Sequence, residues 1–177
     1  MKSCILFSGG ADSTFILCQY AQNKEPIDVF IMDRYNKPIA HAYRVIELIN
    51  NFFHTEYSIH ILNVQNVGEA VSFLSLSFDE VLFGGNQYPS DKTIRPKFKE
   101  NTITQEWLDS NPKIVAPLMS MNKSDIVRSF YERGWEDILK ATHSCGSDKE
   151  EPCGECFNCR ERAWAFKQLN LPVDLGL

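Results

Sequence analysis

Leu6-Phe7-Ser8-Gly9-Gly10-Ala11-Asp12-Ser13-Thr14 is the stretch of this sequence that decides its fold. The short apolar run Ser3–Ser8 leads into the two glycines and predicts a buried strand that stops there. From Asp12 onward the apolar residues recur at helical spacing, so a helix is expected to begin directly after the turn. A strand, a glycine turn and a helix in this order are typical of a parallel α/β sheet.

The rest of the chain repeats this alternation of strands and helices. Further strands are predicted at Ile27–Asp33, Ser58–Val64, Glu80–Phe83 and Lys113–Ala116. Further helices are predicted at His41–Phe53, Val67–Phe78 and Thr104–Asp109. Another is predicted from an N-cap at Asn122 through Arg133, with Asp125 completing a capping box. The last is predicted to run from the C-terminal cysteines to about Leu169. A polar loop with prolines follows the fourth strand at Asn86–Glu100. The alternation predicts an α/β fold in which helices cover both faces of a parallel five-stranded sheet.

Length and composition limit the classes of protein to consider. The 177 residues suffice for one domain, expected to span 1–177, and 44% of them are hydrophobic, as in a globular chain. No apolar run approaches about 18 residues, and the start MKSCILFSGG leaves no room for a signal peptide. We therefore expect a cytoplasmic protein without a membrane span. A net charge of −5 argues against a broad surface for DNA or tRNA, but not against a small anionic ligand.

The glycine turn has the properties of a phosphate-binding loop. A helix N-terminus offers unpaired backbone N–H groups and a partial positive charge, and glycines let a ligand approach the backbone closely. Hydroxyl donors come from Ser8, Ser13 and Thr14. The loop has neither the lysine of the G-x4-G-K-[ST] motif nor the spacing of the dinucleotide fingerprint. The plainer alternative is a Gly-Gly turn capped by Ser and Asp.

The motif SGG-x-DS resembles the PP-loop of ATP pyrophosphatases, which hold the pyrophosphate released when ATP adenylates a substrate. The resemblance implies a nucleotide-binding segment made of Phe7, Ser8, Gly9, Gly10, Ala11, Asp12, Ser13 and Thr14. The Asp12 carboxylate is better suited to bind Mg²⁺ or the N–H groups of the loop than to contact a bare phosphate. Asp33 ends the second strand, where an adenosine would lie, unless it is an ordinary turn residue. Lys123, which begins a helix, would supply the cation that the loop lacks, unless it is merely solvated.

Four cysteines near the C-terminus have the spacing C-x7-C-x2-C-x2-C, at Cys145, Cys153, Cys156 and Cys159. This cluster is typical of a closed tetrahedral zinc site with a structural role, which we place in a zinc-binding segment at 143–169. His143 is a possible substitute ligand, but with four cysteines available we expect it to face solvent or to lie near the active site. A disulfide framework is the competing interpretation, although C-x2-C pairs in cytosolic proteins are more often metal ligands. The remaining Cys4 and Cys18 are expected to be buried in apolar packing.

Four blocks of sequence, in order and over nearly the full chain, resemble the 7-cyano-7-deazaguanine synthases, the QueC-like branch of the PP-loop ATPases. The first block is LFSGGADST, and the second is GGNQYPSDKTIRPKF, which is similar to the family's Asn…Tyr-Pro-Asp…Arg-Pro-x-Phe loop. The third, APLMSMNKSDIV, is similar to its Pro-Leu…Lys block. The fourth is SC followed by PCGECFNCRERAWAF, in which the residues that fall in register are Cys159, Arg162, Ala165 and Phe166.

The resemblance implies an ATP-dependent carbon–nitrogen ligase that releases AMP and pyrophosphate. Such enzymes use ATP and Mg²⁺ to adenylate the carboxylate of 7-carboxy-7-deazaguanine, and ammonia then displaces AMP to give an amide. A second ATP activates the amide oxygen and leaves the nitrile, a step on the way to queuosine. The catalytic residues implied are Asp12, Ser13 and Lys123. The substrate-binding residues implied are Asn86, Tyr88, Pro89, Asp91 and Arg95, of which Asp91 would accept from a guanine-like edge and Arg95 would meet the carboxylate.

The sequence departs from the family pattern near the expected substrate site. Residues 33–38 read DRYNKP where the family has Asp-Tyr-Gly-Gln-Arg-His, Val67–Ala70 lacks an arginine, and 51–66 is short. An enzyme that stops at the amide, or that transfers the activated deazaguanine to a protein amine as phage- and antiphage-defence-associated QueC-like proteins do, therefore stays open. Alternatives of another class are a tRNA-thiolating PP-loop enzyme and a non-catalytic zinc-bearing nucleotide-binding module. The resemblance also leaves a homodimer open.

Overall fold

The computed structural model of the protein describes residues 1–33, 39–64, 66–94, 104–147 and 151–176. Its strands are β1 (Ser3–Phe7), β2 (Asp28–Met32), β3 (Ile59–Leu62), β4 (Glu80–Phe83), β5 (Asn86–Gln87), β6 (Ile114–Val115) and β7 (Leu118–Asn122). Its helices are α1 (Ala11–Asn23), α2 (Ala40–Phe53), α3 (Val67–Leu74), α4 (Gln105–Asp109), α5 (Lys123–Glu132), α6 (Glu136–Ala141) and α7 (Phe157–Gln168). Within these ranges no helix combines the length and the apolar character needed to cross a bilayer.

Five of the strands form one parallel sheet in the order β3-β2-β1-β4-β6. Ile5 of the central β1 is aligned with Val29 of β2 on one side and with Leu82 of β4 on the other. The chain therefore leaves β1 in one direction along the sheet and later returns to its other side. Such a reversal opens a crevice at the carboxyl ends of the strands, where ligands bind in open α/β sheets. The predicted five-stranded parallel α/β fold is confirmed, and the glycine loop lies at this crevice.

Helices cover both faces of the sheet because alternate strand residues point to opposite sides. Ile5 and Phe7 of β1 lie in a core cluster shared with α1, α2, α5, α6 and α7. Cys4 and Leu6 lie in a second cluster with α3 and α4. Cys4 and Cys18 are both fully buried, which confirms their predicted apolar packing. Burial raises the pKa of the Cys4 thiol to about 12, so this group stays protonated and inert.

The elements differ from the sequence prediction in three respects. Helix α3 ends at Leu74 and not at Phe78, because residues 75–77 form turns. Strands β5 and β7 pair in a separate two-stranded sheet that the sequence pattern does not predict, since β5 has two residues and shows no alternation. The short helix α6 has no predicted counterpart either. The capping box at the start of α5 is confirmed, with Asn122 accepting from the backbone and Asp125 accepting in return.

Candidate active site

The loop between β1 and α1 is held in shape by its own hydroxyl groups. The backbone N–H of Ser8 donates to Ser13 Oγ at 3.2 Å, and the two hydroxyl oxygens lie 3.1 Å apart. Gly10, the N-cap of α1, donates its N–H to Ser8 Oγ at 3.3 Å and has no side chain with which to cap the helix. Ser144 instead accepts from the N–H of Ala11 at 3.3 Å. The N-terminus of α1 therefore faces the crevice with Ser8 and Ser13 fixed beside it.

Two glycines around this loop cannot be replaced without moving their neighbours. Gly9 has a φ of +71°, and a Cβ there would lie 2.7 Å from His41 Cδ2. Gly84, at the end of β4, approaches α1 so closely that a Cβ would lie 2.8 Å from the backbone nitrogen of Ser13. Real Cβ contacts are longer than this, so the loop depends on glycine both for its own turn and for the neighbouring strand.

Lys123 is a buried lysine placed between two carboxylates. As the first residue of α5 it lies at the N-terminal turn of α1, where its Nζ donates to Asp12 Oδ1. The same nitrogen is 3.5 Å from Glu161 Oε2. Lys123 and Glu161 are each only 3% exposed. The other oxygen of Glu161 accepts from Asn86 Nδ2 at 3.3 Å, so residues from α1, α5, α7 and β5 meet at one point.

Burial and neighbouring charges together set the pKa values of Lys123 and Glu161. Burial alone would lower the pKa of Lys123, but the Asp12 and Glu161 carboxylates outweigh it and raise the pKa of the ammonium group. Burial raises the pKa of the Glu161 carboxyl, and Lys123 opposes this effect while the Asp12 charge adds to it. A charged lysine is thus retained next to the loop, in surroundings with little water to screen it.

A cavity of about 400 Å³ opens above the carboxyl ends of the sheet. Its polar floor includes Ser8, Gly10, Asp12, Lys123, Glu161 and Asn86. One wall is apolar and includes Leu6, Ile31, Met32, Ile39 and Ala42. The opposite wall comes from the cysteine-rich segment and includes Cys145, Gly146, Ser147, Phe157 and Asn158. This volume lies within the range of about 300–1,000 Å³ that is usual for small-molecule sites.

Two histidines pack against the back of the loop. The N–H of His143 donates to the carbonyl oxygen of Gly9 at 2.9 Å, and the His143 ring lies 4.9 Å from the ring of His41. His41 Nε2 lies 3.0 Å from the carbonyl oxygen of Ser8. His143 is buried and lines this cavity, and the cysteine cluster described below does not include it.

The four C-terminal cysteines come together as a metal-binding cluster. Their sulfur atoms all lie within 4.8 Å of one another, and Cys145 Sγ is 3.9 Å from Cys156 Sγ. Zinc–sulfur bonds of about 2.3 Å in a tetrahedron place the sulfurs about 3.8 Å apart. The four thiols therefore fit a tetrahedral metal such as zinc. All six cysteines are free of disulfide bonds in the structure.

Backbone N–H groups donate to the sulfurs of Cys145 and Cys156 and favour their thiolate form. Burial raises the pKa of Cys145, but N–H groups of Cys153 and Ser147 donate to its sulfur and lower the pKa to about 5. Cys156 also has a lowered pKa, because donors from Gly146 and Cys159 outweigh its burial. Burial and neighbouring sulfurs raise the pKa of Cys159 to about 12. Donors of this kind orient the ligands of metal sites.

The residues predicted from the sequence are partly gathered at the cavity. From the loop, its wall includes Phe7, Ser8, Gly10 and Asp12, while Gly9, Ala11, Ser13 and Thr14 lie buried behind it. From the predicted substrate loop, the wall includes Asn86. Tyr88 packs its ring edge-on to Phe157, Pro89 is buried, and Asp91 accepts from the N–H and hydroxyl of Thr93. Asp33 is exposed at the end of β2, and Arg95 lies outside the described residues.

Sequence reasoning missed Glu161 and His41. Glu161 lies on a helix whose apolar residues give no clear stripe, so its inward orientation has no signal in the sequence pattern. His41 occupies the first turn of α2 and meets the loop across a gap of more than thirty residues in the chain. The only hint in the sequence was that Glu161 is a charged residue two positions after Cys159, a predicted metal ligand.

A family model and several curated relatives match this chain and point to the same kind of protein. The family model described as queuosine biosynthesis protein QueC matches residues 83–170, a stretch that contains Lys123, Glu161 and the cysteine cluster. A 7-cyano-7-deazaguanine synthase from Methanosarcina mazei is 30% identical over 66% of this chain and 54% of its own length. The chain spans only 23% to 54% of the length of the first five curated relatives.

One relative and one solved structure are matched over most of this chain. A 7-cyano-7-deazaguanine synthase from Oceanobacillus iheyensis is 27% identical over 94% of both chains. The structure of NMN synthetase from Francisella tularensis superposes with a TM-score of 0.50 at 13% identity, and covers 97% of this chain and 78% of that one. The structural match supports the fold alone. By its motifs, its family-model match and its relatives, this chain resembles the QueC-like 7-cyano-7-deazaguanine synthases.

Proposed function

We propose that this protein is an ATP-dependent carbon–nitrogen ligase, forming AMP and pyrophosphate, that activates the carboxylate of 7-carboxy-7-deazaguanine. The observation that carries the proposal is the buried Lys123, paired with Asp12 at the N-terminus of α1 on the floor of the cavity. A buried ammonium group, helix N–H groups and hydroxyl groups at one point suit a polyphosphate. The similarity to 7-cyano-7-deazaguanine synthases supplies the substrate class.

The proposed reaction begins with adenylation. An oxygen of the substrate carboxylate attacks the α-phosphorus of ATP, the bond to the β-phosphate oxygen breaks, and pyrophosphate leaves. The loop residues Ser8, Gly9, Gly10 and Ser13, with Lys123, would hold the departing pyrophosphate and stabilise its charge. Asp12 would hold Mg²⁺, which neutralises phosphate charge when it is bound. These residues position reactants and stabilise charge, which is the main work of such sites.

Ammonia then attacks the acyl carbon of the adenylate, loses a proton and expels AMP to leave the primary amide. In the complete synthase reaction, the amide oxygen attacks the α-phosphorus of a second ATP and expels pyrophosphate, and loss of AMP and of both N–H protons then leaves the nitrile. The apolar wall of the cavity, which includes Ile31 and Met32, suits an adenine ring, and Asn86, which lines the same cavity, would contact the substrate. The cysteine cluster would hold zinc in a structural role, and we place the reaction in the cytoplasm.

Product analysis tests this proposal directly. The purified protein is incubated with ATP, Mg²⁺, 7-carboxy-7-deazaguanine and ammonium, and small molecules and intact protein are followed by mass spectrometry. We expect AMP, pyrophosphate and the amide, followed by the nitrile. An amide that accumulates without nitrile, or a mass increase on a protein, would replace the two-step synthesis by the corresponding diverged reaction. Absence of substrate-dependent AMP would contradict the proposal altogether.

A further inference from the structure

Glu161 is a buried acid whose two oxygens are both engaged inside the candidate active site. It lies on α7 and is 3% exposed. One oxygen accepts from Asn86 Nδ2 at 3.3 Å, and the other is 3.5 Å from Lys123 Nζ. The residue thus connects the phosphate-loop lysine of α5 to the cavity-lining amide of β5. The proposed reaction assigns it no role.

The location of Glu161 favours a function over simple packing. Burying a carboxylate is costly, and a buried acid is tolerated only where it is paired and hydrogen-bonded. Lys123 already has a carboxylate partner in Asp12, so charge neutrality does not require a second one. Asp12 also lies at the cavity floor, where it would turn to Mg²⁺ when the ion is bound. Glu161 would then be the carboxylate that remains on Lys123.

We propose that Glu161 is a positioning residue that holds the Lys123 ammonium group in the orientation needed to receive the phosphates of ATP. This inference rests on the proposed use of ATP at the loop. Lysine side chains are long and flexible, and a buried acceptor reduces the orientations available to Nζ. Preorganised charges of this kind stabilise the charge that develops on transferring phosphoryl groups.

Because Glu161 lies two residues after Cys159 on the same helix, the cysteine cluster fixes the end of α7 from which Glu161 reaches the cavity. The same segment contributes Ser144, which caps α1 at the loop. The cluster is thereby connected to the phosphate site through α7 and through the chain that precedes Cys145. Glu161 acts on the reaction through Lys123, without touching the substrate.

The substitution Glu161→Gln tests this role with little change in shape. An amide has one acceptor oxygen, so glutamine can satisfy either Asn86 or Lys123 but not both. We expect Glu161→Gln to weaken Mg²⁺–ATP binding about tenfold or more in titration calorimetry, as for loss of a charged hydrogen bond. The control is Glu132→Gln, which removes an exposed carboxylate at the last position of α5 and is expected to leave binding unchanged.

A double-mutant cycle distinguishes positioning from a general structural effect. If Glu161 acts through Lys123, adding Glu161→Gln to a Lys123→Met protein changes the dissociation constant of Mg²⁺–ATP by less than about twofold. An undiminished effect in the Lys123→Met background, or no effect of Glu161→Gln alone, would overturn the inference. A wild-type protein that binds no Mg²⁺–ATP would instead overturn the proposed function on which it rests. Should Glu161→Gln fail to fold, Glu161→Asp, which keeps the charge but shortens the reach, takes its place in the cycle.

Discussion

At the scale of single residues, the central feature of the candidate site is a buried lysine that lies between two carboxylates. Lys123 is buried and close to both Asp12 and Glu161, so one cation is shared by two carboxylates. Removing one partner of a buried ion pair leaves the other charged and poorly solvated, which is more harmful than removing the whole set. The charges of the site therefore affect folding as well as chemistry.

Lys123→Met is expected to lower the free energy of unfolding by about 3–5 kcal/mol, because it leaves two carboxylates without their cation. Adding Glu161→Gln to this variant should restore part of the loss, although the same change destabilises the wild-type protein. Urea unfolding followed by circular dichroism measures all four proteins of the cycle. Additive losses in the double variant would contradict the mutual pairing of these residues.

Asp12→Ala is expected to abolish pyrophosphate release while the protein stays folded. Asp12 is partly accessible at the cavity, and Lys123 keeps Glu161 as a partner when Asp12 is removed. The measurement is a coupled assay for pyrophosphate, with the far-ultraviolet circular dichroism spectrum as the control for folding. AMP production at the normal rate would remove Asp12 from the proposed mechanism.

At the scale of elements, α5 illustrates how local sequence places a functional group. Asn122 accepts from the N–H groups of Ser124 and Asp125, and Asp125 accepts from Asn122 in return, which fixes the first turn that contains Lys123. Asn122→Ala is expected to lower the free energy of unfolding by about 1 kcal/mol. It should also weaken nucleotide binding, because the first turn frays. A change in stability below about 0.2 kcal/mol would contradict the importance of this cap.

The helices, strands and turns that could be predicted from the sequence are those specified by residues close together in the chain. The five sheet strands, the glycine loop and the capping box follow from apolar runs, turn residues and side-chain caps within a few positions. The two-stranded sheet of β5 and β7 does not, because a two-residue strand is defined by its distant partner. Glu161 was missed for the same reason: its partners Asn86 and Lys123 are distant in the chain, and no local pattern marks an acid as buried.

At the scale of the whole molecule, the cysteine cluster and the phosphate loop form one connected unit. Cys145 and Gly146 line the cavity, and α7 runs from the cluster to Glu161. The cysteine spacing in the sequence predicted the cluster, but only the fold places it against the loop. We therefore expect loss of the metal to affect nucleotide binding as well as stability.

Cys156→Ser is expected to lower the free energy of unfolding by about 3 kcal/mol or more, since structural zinc sites bind their metal with about 10–16 kcal/mol. Zinc content by elemental analysis and thermal unfolding are measured together. The matched control is Glu155→Gln, an exposed neighbour within the same turn. Full zinc loss with unchanged thermal stability would contradict a structural role for the cluster.

The proposed function requires that the loop, Lys123 and the cavity form an adenylate on a deazaguanine carboxylate. Exchange of labelled pyrophosphate into ATP reports this step alone, without an amine acceptor. We predict exchange that requires 7-carboxy-7-deazaguanine and Mg²⁺ and that disappears in the Asp12→Ala and Lys123→Met variants. Exchange that proceeds without the carboxylate, or no exchange when all components are present, would contradict it.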